Sequence, residues 1–163
     1  MSKRLIFTIF AIILIIFVIP TQTTLAQNNA TDSSQIVQFE SVNPGSPYYV
    51  FKRIKETIKL NLLTFGAKNK AKYSQELLYI RLKELAYAVK NNQIGYMENV
   101  ANRYTNQAGT IIEKYLRIDA DVKKQALQYL PILSNLRDAY PANSPYWLMI
   151  QYAVDTTKRI AYN

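Results

Sequence analysis

The chain contains no cysteine and no histidine. The first absence excludes disulfides and a lipid anchor on cysteine. Together the two absences remove the usual nucleophile–base pairs and nearly all zinc, copper and haem ligation. Acidic side chains are also few, 11 against 20 lysines and arginines. A glycosidase needs two carboxylates facing one cleft, and no spacing among Glu56, Glu76, Glu84, Glu98, Glu113, Asp119, Asp121, Asp138 and Asp155 marks such a pair. Most of them fall on polar helix faces. Asp119-Ala120-Asp121 lacks the remaining ligands and the glycine of a calcium loop, and reads as a helix cap. The expectation is a protein that is not an enzyme and uses no cofactor and no metal.

The balance of charge is +9. Ten basic residues lie between Lys52 and Lys90, against three acids. Such an excess favours something anionic, a membrane or wall surface or a nucleic acid, although a solvated basic surface serves solubility equally well. The export signal described next and the lack of a Gly-rich or aromatic-basic recognition motif argue against nucleic acid.

Met1 to about Ala26 has the three parts of an export signal. Lys3 and Arg4 form a positive start, Leu5 through Ile19 is apolar apart from Thr8, and Thr24-Leu25-Ala26 supplies small residues for a peptidase. Cleavage is expected before Gln27. An uncleaved membrane anchor is the alternative, although the run is short against the ~20 apolar residues of a full span. Either route leaves the body outside the cytoplasm. Residues 27–43 are rich in Gln, Asn, Ser and Thr and read as a flexible leader with too little apolar surface to fold. Asn29-Ala30-Thr31 matches a glycosylation acceptor, a short motif that is common by chance.

The body, residues 44–163, reads as all-α: about five helices built on a long antiparallel hairpin. Pro44-Gly45 is a turn pair. Ser46 suits a helix cap and Pro47 the first helical position. From there Val50, Phe51, Ile54, Ile58, Leu62 and Phe65 form one apolar arc, the side expected to pack on the core. Tyr49, Leu60 and Leu63 make a smaller patch opposite, and Lys52, Lys55 and Lys59 lie beyond one edge of the arc. Gly66 ends this helix. A second follows to Lys90, with Ala71, Ser74, Leu78, Leu82, Leu85 and Val89 on its stripe and Leu77 and Ala88 beside it. After the Asn91-Asn92 turn a third runs from about Gln93 to Leu116, with Ile94, Met97, Ala101, Tyr104, Ala108, Ile111 and Tyr115. Spacing near 3.5 marks these two as antiparallel partners. Gly109 predicts a close helix crossing, and Glu113–Arg117 an i,i+4 pair. A fourth helix, capped by Asp119 or Asp121, carries Val122, Ala126, Tyr129, Leu130, Leu133, Leu136 and Tyr140, with a kink or break expected before Pro131. Ser144-Pro145 starts a fifth that runs to about Ile160, with Asp155 and Arg159 placed to pair. Ser46-Pro47-Tyr48-Tyr49 and Ser144-Pro145-Tyr146-Trp147 echo each other, which shared helix-start chemistry explains.

The opening stretch resembles the signature of a family of exported prokaryotic proteins catalogued as a domain of unknown function. The residues that carry it are Pro44 to Pro47, Tyr48-Tyr49, Phe51-Lys52-Arg53 and Lys55-Glu56. The series continues through Ala67 to Lys72, the Arg-Leu-x-Glu-Leu run Arg81 to Leu85, Asn91-Asn92, Tyr96, Glu98 and Arg103-Tyr104. The resemblance covers about Pro44 to Leu116 and only loosely the last two helices. It implies a signal peptide followed by a helical extracytoplasmic domain, and it transfers no site.

Two candidate surfaces remain. Lys52, Arg53, Lys55 and Lys59 could contact an anionic membrane or wall surface, as basic amphipathic helices do. Tyr48, Tyr49, Tyr146 and Trp147 flank helix starts and could form an aromatic face, whereas Tyr104, Tyr115 and Tyr129 sit on core stripes. The expected function is an exported, non-enzymatic interaction or envelope-structural module with a protein or envelope partner. Binding of anionic polymer or lipid through the first helix is the alternative, and a holdase with exposed apolar grooves is a third reading.

Overall fold

The computed structural model describes residues 38–115, 117 and 121–162. The expected signal peptide, most of the leader, Asn29 and the Asp119 cap lie outside these residues. One compact unit spans Ser34–Asn163. Its helices are α1 (Tyr49–Ile58), α2 (Ala67–Lys90), α3 (Ile94–Lys114), α4 (Asp121–Arg137) and α5 (Pro145–Tyr162), and α1 continues into a π-helical turn over Lys59–Leu63. Among the described residues there is no strand. No helix among them is long and apolar enough to cross a membrane.

Two hairpins make the body. α2 packs along α3 and α4 along α5, and the pairs meet where α3 faces α5 and α2 faces α4. The expected stripes supply the core: Leu78, Leu82, Leu85, Met97, Ala101, Tyr104, Ile111, Val122, Ala126 and Leu133 are buried. α5 adds Ile150, Ala153, Val154 and Ile160. Tyr104 is fully buried, and its hydroxyl shares a 2.8 Å hydrogen bond with Thr157 Oγ1 on α5. Tyr79 and Tyr129 stack across α2 and α4 at 5.8 Å. This core lies wholly within α2–α5, so the bundle is closed without α1.

The α2–α3 turn follows from Asn91-Asn92. Asn92 takes φ of 50°, the left-handed conformation that Asn tolerates. The N–H of Gln93 then reaches Ala88 O at 2.8 Å and that of Asn92 reaches Val89 O at 3.1 Å. These two bonds are a Schellman motif that satisfies the last carbonyls of α2. Gly66, at φ of 82°, is the N-cap residue of α2, after the π-turn has ended at the extended Thr64.

Several local expectations are corrected. Ser46 does not cap α1: the helix begins three residues later at Tyr49, and Ser46 Oγ accepts from Tyr48 N at 3.3 Å within a preceding turn. Its counterpart Ser144 does cap α5, accepting from Trp147 N at 3.3 Å. α4 runs unbroken through Pro131, from Asp121 to Arg137. Gly109 marks no close crossing, since a Cβ there would meet nothing within 4 Å. Among the described residues Asp155 pairs with Lys158 at 3.7 Å rather than with Arg159, and no Glu113–Arg117 pair forms.

The largest correction concerns α1. Its main apolar arc faces away from the body: Val50 is 63% exposed, Phe51 70%, Ile54 51% and Phe65 76%. Leu62 and Leu63 are exposed too, whereas Tyr49 and Leu60 are half-buried and Glu56 is buried. The helix is therefore packed inside out, with its charged side inward. Periodicity groups residues on a face but does not say which face turns inward.

Candidate functional site

The inward side of α1 presents Tyr49, Lys52 and Glu56, spaced i, i+3 and i+7, to α2 and α3. α2 answers with Arg81 and Glu84, and α3 with Arg103. Glu84 has a side chain with 0% exposure, yet it accepts from three cations. Lys52 Nζ donates to Oε1 at 2.8 Å, Arg81 Nη1 to both oxygens at 3.1 and 3.0 Å, and Arg103 Nη2 to Oε2 at 3.1 Å. Arg81 Nη2 also donates to Glu56 Oε2, so one guanidinium joins a carboxylate on α1 to another on α2. Lys52 lies 3.8 Å from Glu56, and its Nζ also donates to Val42 O at 3.2 Å.

A carboxylate removed from water is stable only when charge and hydrogen bonds replace the lost hydration. Burial disfavours the ionised form of Glu84, but the Arg81 and Lys52 charges outweigh it and hold its carboxyl below the usual range. Burial likewise works against the Arg81 charge, and the bond to Glu56 with the charge of Glu84 reverses that, so its pKa rises. Arg103 moves the other way. Its burial lowers the pKa more than Glu84 raises it, and Arg53 and Arg81 add repulsion. The Arg103 guanidinium lies 4.8 Å from the centroid of the Tyr49 ring. Burial, then the negative charge of Glu84, pushes the Tyr49 phenol up from 10.0 to about 12.

The end of the segment read as leader joins the same cluster. Glu40 pairs with Lys83 and, at 3.7 Å, with Lys52. Phe39 packs edge-on against Tyr87 with centroids 5.5 Å apart. The folded domain thus extends upstream of Pro44 to include Phe39 and Glu40.

The four cations proposed from sequence separate. Lys52 is committed to the buried cluster. Arg53 is part-exposed, 4.0 Å from Glu56. Lys55 is exposed. Lys59 pairs with Glu76 at 4.0 Å and lies over the Tyr73 ring at 4.1 Å. The four aromatics separate as well. Tyr48 is exposed and Tyr49 sits under Arg103, while Tyr146 packs on Tyr140 at 5.4 Å and Trp147 carries Arg137 over its ring at 5.1 Å. No ring contact among the described residues joins the two aromatic pairs.

Sequence reasoning missed Glu56, Glu84, Arg81 and Arg103 as one cluster. The signal lay in the spacing of α2. Leu77, Arg81, Glu84 and Ala88 step 4-3-4 along the inward seam, so two opposite charges occupy positions that otherwise hold core residues.

Between α1, α2 and α3 the cluster opens into a cleft of about 250 Å³. Arg53, Glu56, Thr57 and Leu60 of α1 and its π-turn line one wall. Leu77 and Arg81 of α2 and Arg103, Asn106, Gln107 and Thr110 of α3 line the other. Gln107 is anchored by donating to Ser74 O at 3.0 Å and Ser74 Oγ at 2.6 Å.

An all-α domain closed by two helical hairpins, with a third arm pinned by buried ion pairs, is the class this geometry defines. The chain belongs to the family described as Domain of unknown function (DUF5667), whose family model matches residues 41–143. The match contains the whole ion cluster apart from Glu40 and ends two residues before α5. No curated protein and no solved structure matches the chain.

Proposed function

We propose that the protein is an exported, non-enzymatic envelope module that docks onto an anionic membrane surface through the outward apolar face of α1. The observation that carries this reading is the inside-out packing of α1, which leaves Val50, Phe51, Ile54, Leu62, Leu63 and Phe65 in water. Fully burying one such side chain contributes about 1.5–3 kcal/mol. Charge complementarity selects the occupant. Exposed Lys55 and half-exposed Lys59 border the arc on one side. Long basic side chains at that level can keep their charge among headgroups while their stems lie on the apolar surface. The apolar run Leu5–Ile19, read as an export signal or anchor, agrees with work at a membrane.

The test uses the chain beginning at Gln27, which contains the compact unit Ser34–Asn163. It should co-sediment with phosphatidylglycerol vesicles, less with phosphatidylcholine vesicles, and less again as salt is raised. Phe51→Ser with Ile54→Ser should abolish the binding without lowering the melting temperature. A lack of binding sinks the reading. So does a concentration-dependent dimer that the same double variant dissolves, since that assigns the face to a second copy.

A further inference from the structure

The ion cluster that opens into the cleft beside α1 carries an excess of positive charge. Lys52, Arg53, Arg81, Lys83 and Arg103 face only Glu40, Glu56 and Glu84. Two guanidiniums hold the surplus. A guanidinium has five N–H donors. Arg103 uses one of them, on Glu84, and its Nε has no hydrogen-bond partner. Arg53 makes no side-chain hydrogen bond among the described residues, and its nearest carboxylate oxygen is 4.0 Å away. Both line the cleft, with Asn106 and Thr110 beside them and Leu60 and Leu77 forming its apolar wall.

We infer that this cleft is a binding site for a phosphate monoester carried on a small hydroxylated group, with Arg53 and Arg103 as the phosphate ligands. A monoester carries nearly two negative charges at neutral pH and three acceptor oxygens, which matches a surplus of two cations with free donors. Arginine forks bind phosphate bidentately and more strongly than neutral donors do. A bare phosphate would leave much of a 250 Å³ cleft unfilled. The amide of Asn106 and the hydroxyl of Thr110 suit the hydroxyls of an attached polyol or sugar. The site is separate from the apolar arc of α1 and stands whether or not that arc meets lipid.

The experiment is calorimetric titration of the Gln27–Asn163 chain, at constant ionic strength, with glycerol 3-phosphate, inorganic phosphate, glycerophosphoglycerol and acetate. Glycerol 3-phosphate is expected to bind most tightly. Tighter binding of glycerophosphoglycerol would give the site to a phosphodiester such as a lipid headgroup and overturn the monoester assignment. Arg53→Gln should weaken glycerol 3-phosphate by about tenfold or more, the worth of a hydrogen bond to a charged group. Arg53 is part-exposed and its only pair is long, so that variant should keep the wild-type melting temperature. An NMR shift of the Arg103 Nε–H on titration provides the second readout. Glycerol 3-phosphate heats equal to those of acetate, or an Arg53→Gln chain that binds as well as wild type, would overturn the proposal.

Discussion

Lys52 on α1 and Glu84 on α2, thirty-two positions apart, meet at 2.8 Å with the carboxylate wholly out of water. That contact fixes which side of α1 turns inward. A lysine in a helix with a strong apolar arc would ordinarily face solvent. Here Glu84 needs cations, and it obtains one from each neighbouring helix and one from its own.

Removing Glu84 is therefore expected to do more harm than removing a surface acid. Glu84→Gln leaves Lys52, Arg81 and Arg103 crowded without their common partner. Breaking a buried pair from one side costs about 3–5 kcal/mol. The urea midpoint should fall accordingly, while Glu76→Gln, at an exposed pair, should change stability by less than about 1 kcal/mol.

Acid should act through the same group. The folded pKa of Glu84 lies below its ordinary value of 4.5. Its stabilisation is then complete above pH 4.5 and is lost as pH falls through the folded value. Urea denaturation across that range should show stability falling, with a smaller slope in Glu84→Gln.

Alkali should act through tyrosine. Burial raises Tyr49 and Tyr73 to about 12, with Glu84 and Glu56 the next causes respectively. A raised folded pKa gives stability that is full below pH 10 and lost as pH rises through about 12. Tyrosinate absorbance should rise late, together with loss of helical circular dichroism. Tyr49→Phe should remove part of the alkaline loss.

The two faces of α1 and the core should separate in stability. Phe51→Ser is expected within about 0.5 kcal/mol of wild type, as at an unconstrained surface position. Leu82→Ala in the closed core should cost about 2–5 kcal/mol. Thermal melts of the two variants decide the orientation of α1: a large loss at Phe51 would mean that its ring is buried.

Two glycines should respond oppositely to alanine. Gly109 lies in the interior of α3 with open space around its Cβ position, so Gly109→Ala should stabilise by about 0.5–1 kcal/mol. Gly66 also has open space but sits at φ of 82°, where an L side chain is strained, and Gly66→Ala should destabilise. Chemical denaturation of both variants provides the measurement.

The hairpins were legible in the sequence because their rule is simple. Leu78, Leu82 and Leu85 repeat at the spacing of packed helices, and the Asn91-Asn92 pair marks the turn. Tyr104 and Tyr129 sat on those stripes and are buried as expected. α1 obeyed the same periodicity and was still read in the wrong orientation. An apolar arc is an instruction to bury only when the opposite face has no better offer, and Glu56 with Lys52 had one in Arg81 and Glu84. Those partners sit on α2, 25 and 32 positions away, beyond the reach of any local pattern. The cleft was illegible for the same reason, because Arg53 and Arg103 are brought together only by tertiary folding.

Phe39 and Glu40 lock onto Tyr87, Lys83 and Lys52 just where the chain joins the body. Lys52 is also the residue that sets the orientation of α1. A pull on the chain ahead of Phe39 would load α2, through Tyr87 and Lys83, and α1, through Lys52, at the same time. In mechanical terms the entry of the chain is bolted to both the arm and the hairpin, so tension there is shared between α1 and α2 rather than carried by either alone.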